Sequence, residues 1–432
     1  MKVHLQMVGC RLNQSEIDQM KRQFQSQGHE VVEDPAQADE IIVNTCAVTH
    51  EAVRSSRNLV RRLHRASSRA NSAAAITATG CYAQLAPDAL AALPGVRAVI
   101  DNQRKDQLVP LITGEPLAPF DAEPLERDQP AWMGRTRAFV KVQDGCDNAC
   151  TFCVTTVARG PGRSRPAAEI LAEVQALGAL GYQEIVLTGV HLGSYGHDLG
   201  AADGLSDLVR ALLAEIAIPR IRLSSLEPWD LSPEFFDLWQ DSRLCPHLHL
   251  PLQSGCDATL RRMARRTTQA QFRALVEAAQ ARIPNVAITT DVIVGFPGET
   301  DAEFATSAAF IEALDLAKLH VFRYSVRPGT PAARMRGQVS EEVKRARSAQ
   351  LIACSDAGEQ RWAGRFVGAT LPVLWEQVAG ATTDGFVNVG YTPQYMRVMA
   401  LHPRPLTNLI TPARLDAYDP QKRHIQALPV ID

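Results

Sequence analysis

Three cysteines are grouped within one short stretch of the chain. The stretch DGCDNACTFC places Cys146, Cys150 and Cys153 in a C-x3-C-x2-C array, with no fourth cysteine or histidine close by. A structural zinc ion almost always takes four protein ligands, which three thiolates cannot supply. Cysteine thiolates are the usual ligands of iron–sulfur clusters, and three of them leave one iron of a cubane free of protein. The array therefore predicts a cluster with one open iron, where a further molecule can bind and react.

Three other cysteines occupy equivalent places after three predicted strands. Cys10 follows VHLQMVG, Cys46 follows EIIVNT and Cys81 follows AAAITATG. The carboxyl ends of parallel strands meet at one edge of a sheet, so these thiols are expected to converge. A single cysteine of this kind is more often a small buried core residue, but three at matching positions favour a second three-thiol site. The remaining cysteines show no such pattern and are interpreted as incidental: Cys245, Cys256 and Cys354.

The composition indicates a globular, cytoplasmic protein with more than one domain. A length of 432 residues exceeds what one hydrophobic core usually supports. The formal net charge is -2, so binding to nucleic acid would depend on local basic patches. The start, MKVHLQMVGCRLNQSE, is too polar for a signal peptide, and no long apolar run predicts a membrane span. Nine cysteines in such a chain favour metal or redox chemistry over disulfides.

The elements that must position the cysteines fall into three segments. Residues 1–112 alternate apolar runs with helical patterns such as SEIDQMKRQFQSQG, which predicts a parallel α/β domain. Residues 113–135 are rich in Pro, Glu and Asp and lack periodicity, which predicts a linker. Residues 136–360 repeat a strand-then-helix unit six times, so we expect a full or partial (β/α)6 barrel with its active site at the carboxyl ends of the strands. Residues 361–432 predict a small all-β barrel.

Six strands are predicted for the barrel: AFVKVQ, EIVLTG, RIRLSS, HLHLPL, VAITTDVIVGF and LHVFRYS. The array that ends at Cys153 comes directly after the first of them, at the catalytic edge of such a barrel. His247 and His249 alternate within HLHLPL and should therefore share one face of their strand, lining the barrel. For these two side chains, a hydrogen-bonded core histidine is the more typical role than a metal ligand.

An arginine-rich segment is a candidate contact for nucleic acid. RSSRNLVRRLHRASSR holds six arginines, and no acidic residue occurs between Glu51 and Asp88. At helical spacing, Val53, Ser56, Val60 and Leu63 face inward and leave an outer stripe of four arginines: Arg54, Arg57, Arg61 and Arg65. Each guanidinium offers a planar fork of donors suited to phosphate. The alternative is a solvated basic helix face, and the same ambiguity applies to RRMARR, which ends at Arg266.

Longer motifs surround the six cysteines: GCDNACTFCVTTVARGPGRSR, VGCRLNQSE, VNTCAVTHEAVRSSR and ATGCYAQ. The first is similar to the cluster loop of radical S-adenosylmethionine (SAM) enzymes, and its combination with the other three resembles the radical SAM methylthiotransferase family. Further matches follow in the expected order: LTGVHLGSYG, RLSSLEP, HLHLPLQSG, DVIVGFPGET and FRYSVRPGTPA. The tail resembles an RNA-binding TRAM domain. The resemblance covers nearly the whole chain and is therefore much more specific than one cysteine triad.

The resemblance implies two 4Fe-4S clusters and SAM as cofactors. Cys146, Cys150 and Cys153 would hold the cluster that chelates SAM and cleaves it to a 5'-deoxyadenosyl radical, whereas Cys10, Cys46 and Cys81 would hold an auxiliary cluster that carries the sulfur to be methylated and inserted. One SAM gives the methyl group and a second gives the radical. Cytosolic partners are implied as well, namely a low-potential electron donor and the iron–sulfur assembly machinery.

Five strand-end residues are candidates for the SAM pocket. Thr188 and Gly189 match the position where related enzymes hold the SAM amino group. Three further residues end later strands and are expected to line the same pocket: Glu227, Gln253 and Gly295. Glycine and threonine at strand ends also commonly serve turns, which is the alternative role for these positions.

The substrate is expected to be tRNA. LTGVHLGSYG and CVTTVARGPGRSR are most similar to the bacterial MtaB branch, which acts at C2 of N6-threonylcarbamoyladenosine at tRNA position 37. The branches that act on isopentenylated adenosine or on a ribosomal-protein aspartate share the six cysteines and the tail, so they are alternatives. A non-catalytic iron–sulfur RNA-binding redox protein is an alternative of another class. That alternative leaves unexplained a complete barrel with an open-site triad at its catalytic face.

Overall fold

The computed structural model of the protein describes residues 1–69, 74–117 and 136–431. Most of the predicted linker, residues 118–135, lies outside the described residues. Within these three ranges, no helix is long and apolar enough to cross a membrane.

The N-terminal part is a five-stranded parallel sheet with helices on both faces. Its strand order is β2-β1-β3-β4-β5. Ile41 and Val43 pack in one cluster with Val60, while Ile42 packs on the opposite face with Phe24. Because both faces of the central strands are buried, the sequences of these strands are continuous apolar runs. The elements are β1 (Lys2–Met7), α1 (Arg11–Ser26), β2 (Glu30–Val31), β3 (Glu40–Thr45), α2 (His50–Arg69), β4 (Ala75–Gly80), α3 (Cys81–Leu85), α4 (Pro87–Ala91), β5 (Val96–Val99) and α5 (Leu108–Thr113).

The central part is a partial barrel of six parallel strands, as the sequence predicts. Strands β6, β9 and β10 form one sheet, β11, β12 and β13 form another, and bridges such as Ser225 to His249 join the two. One hydrophobic cluster runs through the barrel and its helices, from Ala138 to Leu351. The elements are β6 (Arg137–Lys141), β7 (Gln143–Asp144), α6 (Thr155–Arg159), β8 (Arg163–Ser164), α7 (Ala167–Ala179), β9 (Glu184–Thr188), α8 (Gly204–Glu215), β10 (Arg220–Leu223), β11 (His247–His249), α9 (Asp257–Arg262), α10 (Gln269–Arg282), β12 (Ala287–Val294), α11 (Asp301–Ala313), β13 (Lys318–Arg323) and α12 (Glu341–Gly364).

The tail is a closed five-stranded barrel, which confirms the all-β prediction. Its strand order is β14-β15-β16-β18-β17, and only β16 and β18 pair in parallel. Trp375 fills its core and donates from Nε1 to Thr411 Oγ1 at 2.8 Å. The predicted start of this segment at residue 361 falls within the last turn of α12, which continues through Gly364. The strands are β14 (Thr370–Thr382), β15 (Gly385–Tyr391), β16 (Arg397–His402), β17 (Ile410–Asp419) and β18 (His424–Pro429).

A buried arginine fastens the tail to the central barrel. Arg222 on β10 donates from Nε to Glu184 Oε1 at 2.8 Å and from Nη1 to the carbonyl of Pro393 at 2.9 Å. Its guanidinium also lies 4.6 Å from the ring centroid of Tyr395. Burial would raise the pKa of Glu184, but Arg222 outweighs burial and holds that pKa below its usual value. This one side chain therefore joins two barrel strands to the loop that precedes β16.

We predict that Arg222→Met destabilises the folded chain by about 3–5 kcal/mol, because it leaves the buried Glu184 carboxylate without its nearest partner. Urea unfolding measures the loss. Arg210→Met is the control, since Arg210 pairs with Asp207 at 3.1 Å on the exposed side of α8, and the change there should stay below about 1 kcal/mol. Equal effects of the two substitutions would contradict the role assigned to Arg222.

Candidate functional site

The barrel cysteines lie on the loop between β7 and α6, and each sulfur faces a hydrogen-bond donor. All three side chains are half-buried. The donors are the Asn148 amide to Cys146 Sγ at 3.4 Å, the Thr155 amide to Cys153 Sγ at 3.4 Å, and Arg265 Nη1 to Cys150 Sγ at 3.6 Å. Donors of this kind stabilise thiolates and adjust the properties of the metal cluster that they bind. The loop is therefore suited to hold thiolate ligands.

Arg265 links the cysteine loop to a predicted SAM-pocket residue. Burial raises the pKa of Cys150 to about 11, and the nearby Arg265 opposes that rise. Arg265 also pairs with Glu227 through two hydrogen bonds, at 2.6 and 3.1 Å. The sequence showed Arg265 only as part of the basic patch RRMARR, but its side chain is buried and lies over the ring of Trp229. Arg262 of the same patch pairs with Glu303, so two of the four arginines of this segment are committed to internal contacts, whereas Arg261 and Arg266 are exposed.

A histidine that sequence reasoning did not select contacts the cysteine loop. His191 follows β9 within LTGVHLGSYG, and its Nε2 lies 2.5 Å from Asp230 Oδ2. Burial would lower the pKa of His191, but hydrogen bonds to Asp230 and Cys146 raise it to about 10. A protonated imidazole beside Cys146 supplies positive charge to a loop that collects negative sulfurs. The location of His191 inside the motif LTGVHLGSYG was the one sequence feature that could have pointed to it. Its partner Asp230 lies 39 residues away in the chain, so no local pattern links the two.

The N-terminal cysteines meet at one edge of their sheet, as predicted from the strand ends. Cys10 directly precedes α1, Cys46 follows β3, and Cys81 begins α3 just after β4. Burial raises the pKa of Cys46 to about 11, and the neighbouring Cys81 and Cys10 sulfurs add to the rise. Gly9 has a φ of 128°, and a Cβ there would come within 2.9 Å of the Cys46 Cβ. Only glycine allows this close approach of the first cysteine turn to the second.

In the described part of the chain, no three His, Cys, Asp or Glu side chains converge closely enough to share one ion. A cubane holds its thiolates at separate corners, farther apart than the ligands of one zinc ion. Cys46 and Cys81 are buried while Cys10 is exposed, so the N-terminal triad is accessible from solvent at Cys10. Of the cysteines interpreted as incidental, Cys245 and Cys256 are buried.

A buried charge network connects the two triads. Arg159, at the end of α6, donates from Nη1 to Glu16 Oε1 and to Asp144 Oδ1, both at 2.9 Å, and from Nη2 to Asn13 Oδ1 at 2.9 Å. Lys105 Nζ lies 2.8 Å from the same Glu16 oxygen. Burial would raise the pKa of Glu16, but Arg159 and Lys105 hold it well below its usual value. The network thus ties α1, which begins after Cys10, to the segment that follows the barrel cysteines.

One cavity of about 890 Å³ is lined both by Cys10 of the N-terminal triad and by residues of the barrel strands. Its lining includes Cys10, Thr188 and Gly189 at the end of β9, and Tyr395 of the tail. The volume is within the range of about 300–1,000 Å³ typical of small-molecule sites. Thr188 and Gly189 thus face the open space of this cavity, whose lining includes none of the three barrel cysteines. Their contact with SAM stays a prediction.

The other predicted SAM-pocket residues lie away from the lining of this cavity. Gln253 follows β11 with a φ of 75°, and its amide donates to the Asp291 carbonyl at 2.8 Å. The Gly295 amide donates to Glu299 Oε2 at 2.5 Å. Glu227 is held by Arg265 near Cys150. Of the three, Glu227 is therefore the one that the structure brings next to a barrel cysteine.

His247 and His249 line the cavity, as their alternation on β11 predicts. Thr289 Oγ1 lies between them, 2.9 Å from His249 Nδ1 and 3.5 Å from His247 Nε2. Burial lowers the pKa of His247 well below its usual value, and the neighbouring Arg222 lowers it further. His247 is therefore a neutral, hydrogen-bonded wall residue of the barrel at pH 7.

The four stripe arginines project from the outer face of α2. All of them are exposed: Arg54, Arg57, Arg61 and Arg65. The buried face of the helix carries Ser56, Val60 and Leu63, as predicted, together with Leu59. Among the described residues, no carboxylate forms an ion pair with the stripe. The predicted orientation is thus observed, and contact with RNA stays a prediction.

Comparison with known proteins agrees with this division of the chain. The Radical SAM superfamily matches residues 140–311, and the family described as Uncharacterized protein family UPF0004 matches residues 2–101. A solved radical S-adenosylmethionine methyltransferase, TsrM from Kitasatospora setae, superposes with a TM-score of 0.58 at 16% identity, covering 77% of this chain and 75% of TsrM. At that identity the likeness concerns the fold alone.

Two relatives are much more similar in sequence. The threonylcarbamoyladenosine tRNA methylthiotransferase MtaB of Bacillus subtilis is 38% identical over 404 residues, covering 91% of this chain and 88% of that protein. The ribosomal protein uS12 methylthiotransferase RimO of Chloroflexus aurantiacus is 34% identical over 420 residues, covering 90% of each.

The fold and the open-site cysteine loop define a radical SAM enzyme. Within that class, the chain belongs to the methylthiotransferase family. It is therefore a transferase that uses SAM and two 4Fe-4S clusters. The alternative of a non-catalytic cluster-bearing protein is set aside on these findings.

We predict that the two triads load with iron independently. Replacing Cys146, Cys150 and Cys153 with alanine should leave about half of the iron of the reconstituted chain, because the other triad belongs to a separate sheet. Iron per chain is measured after anaerobic reconstitution, with circular dichroism to monitor the fold. The matched variant with alanine at Cys10, Cys46 and Cys81 should keep the other half. Complete loss of iron from either variant with the fold intact would contradict independent sites.

Proposed function

We propose that this enzyme adds a methylthio group to C2 of N6-threonylcarbamoyladenosine in tRNA. The observation that carries the proposal is a cavity whose lining holds Cys10 of the N-terminal triad together with Thr188 and Gly189, the residues we assign to the SAM pocket, so that one substrate base can reach both. Relatives named threonylcarbamoyladenosine tRNA methylthiotransferase from Bacillus subtilis and Thermotoga maritima, at 38% and 36% identity, support this substrate. A relative named tRNA-2-methylthio-N(6)-dimethylallyladenosine synthase, from Maricaulis maris, is 34% identical and marks the main alternative.

The two triads take different roles in the proposed reaction. Cys146, Cys150 and Cys153 are the proposed ligands of the cluster that binds SAM, and the remaining three are the proposed ligands of the auxiliary cluster: Cys10, Cys46 and Cys81. The clusters and SAM supply the electron, the radical and the sulfur when bound. The protein contributes position and shielding. Arg265 and His191 orient the barrel loop and its charges, and the buried network holds the N-terminal triad at a fixed place beside it.

The proposed partners follow from this chemistry. We infer that tRNA is the macromolecular substrate and that a low-potential cytosolic donor reduces the barrel cluster. The iron–sulfur assembly machinery would load both triads. A cytoplasmic location fits all three partners.

We predict that Cys46→Ala separates the two half-reactions. The reconstituted wild-type enzyme should convert the threonylcarbamoyladenosine of tRNA from a deletion strain into its methylthio derivative, detected by nucleoside mass spectrometry. Cys46→Ala should still form 5'-deoxyadenosine from SAM and dithionite but should deliver no methylthio group, because only the auxiliary site is damaged. Wild-type enzyme that methylthiolates dimethylallyladenosine instead would overturn the proposed substrate. A Cys46→Ala variant that loses SAM cleavage while keeping the barrel cluster would overturn the division of roles.

We predict that the stripe on α2 helps to hold the tRNA. Changing Arg54, Arg57, Arg61 and Arg65 together to glutamine should weaken tRNA binding, and each lost phosphate contact should reduce the magnitude of the log-affinity versus log-salt slope by roughly 0.7–0.9. Fluorescence anisotropy across a salt series measures both quantities. Arg210→Gln on the exposed side of α8 is the control and should leave the slope unchanged. An unchanged slope in the quadruple variant would identify the stripe as a solvated helix face.

A further inference from the structure

The cavity carries more positive than negative side chains. Its lining includes four cationic side chains and two carboxylates: Arg11, Lys318, Arg397, Arg423, Asp291 and Glu359. Glu359 is paired with Lys318 at 3.2 Å and with Arg423 at 3.0 Å. Asp291 contacts His249 Nε2 at 3.3 Å. The carboxylates of the lining are thus already engaged by other neighbours, and among the described residues Arg11 and Arg397 are left without one; of these two cations, Arg397 is exposed and Arg11 is half-buried.

Arg11 is held in place by an aromatic ring. Its Nη2 lies 3.4 Å from the Tyr395 hydroxyl, and its guanidinium lies 5.4 Å from the centre of that ring. The Tyr395 hydroxyl accepts a shorter hydrogen bond from Arg137, at 2.8 Å. Within the described residues no carboxylate pairs with Arg11, although its side chain is half-buried. A partly desolvated cation with free donors is a favourable place for an anion that enters the cavity.

The place of Arg11 along the chain fits the geometry of the substrate base. Arg11 directly follows Cys10, a proposed ligand of the sulfur-carrying cluster. In adenine, C2 and C6 are the two neighbours of N1, so a substituent on N6 lies on the same edge of the ring as the carbon to be modified. A group that recognises the N6 substituent is therefore expected near the auxiliary triad, and Arg11 is the chain neighbour of Cys10.

We propose that Arg11 binds the carboxylate of the threonylcarbamoyl substituent and thereby selects this nucleoside over adenosines with an apolar substituent. This assignment rests on the proposed function. The planar guanidinium matches a carboxylate through two parallel hydrogen bonds. A dimethylallyl group in the same place would leave the cation without a partner in a partly dry cavity, which is unfavourable. Arg11 thus favours binding of the threonylcarbamoyl substrate and disfavours binding of the dimethylallyl substrate.

The test compares two anticodon stem–loops on the same enzyme preparation. One carries N6-threonylcarbamoyladenosine, and the other carries its carboxamide, which keeps the shape and removes the charge. For the wild-type holoenzyme, kcat/KM should be about tenfold or more higher for the carboxylate. In Arg11→Gln, activity toward the carboxylate should fall and the ratio of the two substrates should approach one. Because each ratio comes from one preparation, losses of folded or cluster-loaded enzyme cancel. Dissociation constants of both stem–loops, measured without SAM, should show the same change in ratio.

Each outcome decides between defined alternatives. Arg11→Lys should keep part of the preference for the carboxylate, and Arg210→Gln should keep all of it. Equal losses on both stem–loops in Arg11→Gln would leave the preference for the carboxylate intact and overturn the assignment of Arg11, and a wild-type enzyme without preference would also overturn the proposal. Wild-type enzyme that modifies neither stem–loop would instead overturn the proposed function, so the two failures are distinguishable.

Discussion

The buried ion network around Arg159 is the constraint on which the arrangement of the enzyme depends. Three cations, Lys105, Lys141 and Arg159, face Glu16 and Asp144 at the junction of the N-terminal sheet and the barrel. Taking such charges out of water is costly, and the cost is offset only when every partner is in place. A shift of either sheet would leave a buried charge unpaired. The network therefore favours one docking of the two parts, and with it one separation of the two cysteine triads.

Much of this site can be predicted from the sequence because its cysteines directly follow strands. Hydrophobic runs locate β3, β4 and the barrel strands, and the cysteines that follow them must then share an edge. The edge strands β2 and β5 were missed because they are short and partly exposed, so they lack a clear apolar run. Arg265 and His191 were missed for another reason. Their roles come from partners that are distant in sequence, and no local pattern shows whether a basic side chain is buried in a pair or solvated.

The tail forms part of the cavity wall, which a separate RNA-binding domain would not need to do. Tyr395 has a φ of 69° and lies among Arg11, Arg137 and Arg222, each of which has its guanidinium within 5.4 Å of the ring centre. A tyrosine in this backbone conformation is strained, and such strain persists only where the surroundings fix it. Here the ring is clamped by arginines from the N-terminal part and from the barrel. The loop before β16 therefore completes the wall of the cavity and does not simply follow the barrel.

The shared cavity also bears on how new substrate preferences could arise in proteins of this architecture. Its walls come from the first helix of the N-terminal part, from the barrel strands and from the tail. Recombination that exchanges only one of these parts between two such enzymes would produce a mismatched pocket, even if each part still folded. Changes of preference are then easier to reach by point substitutions at the common wall than by shuffling whole domains. The three parts are expected to be inherited together as one unit.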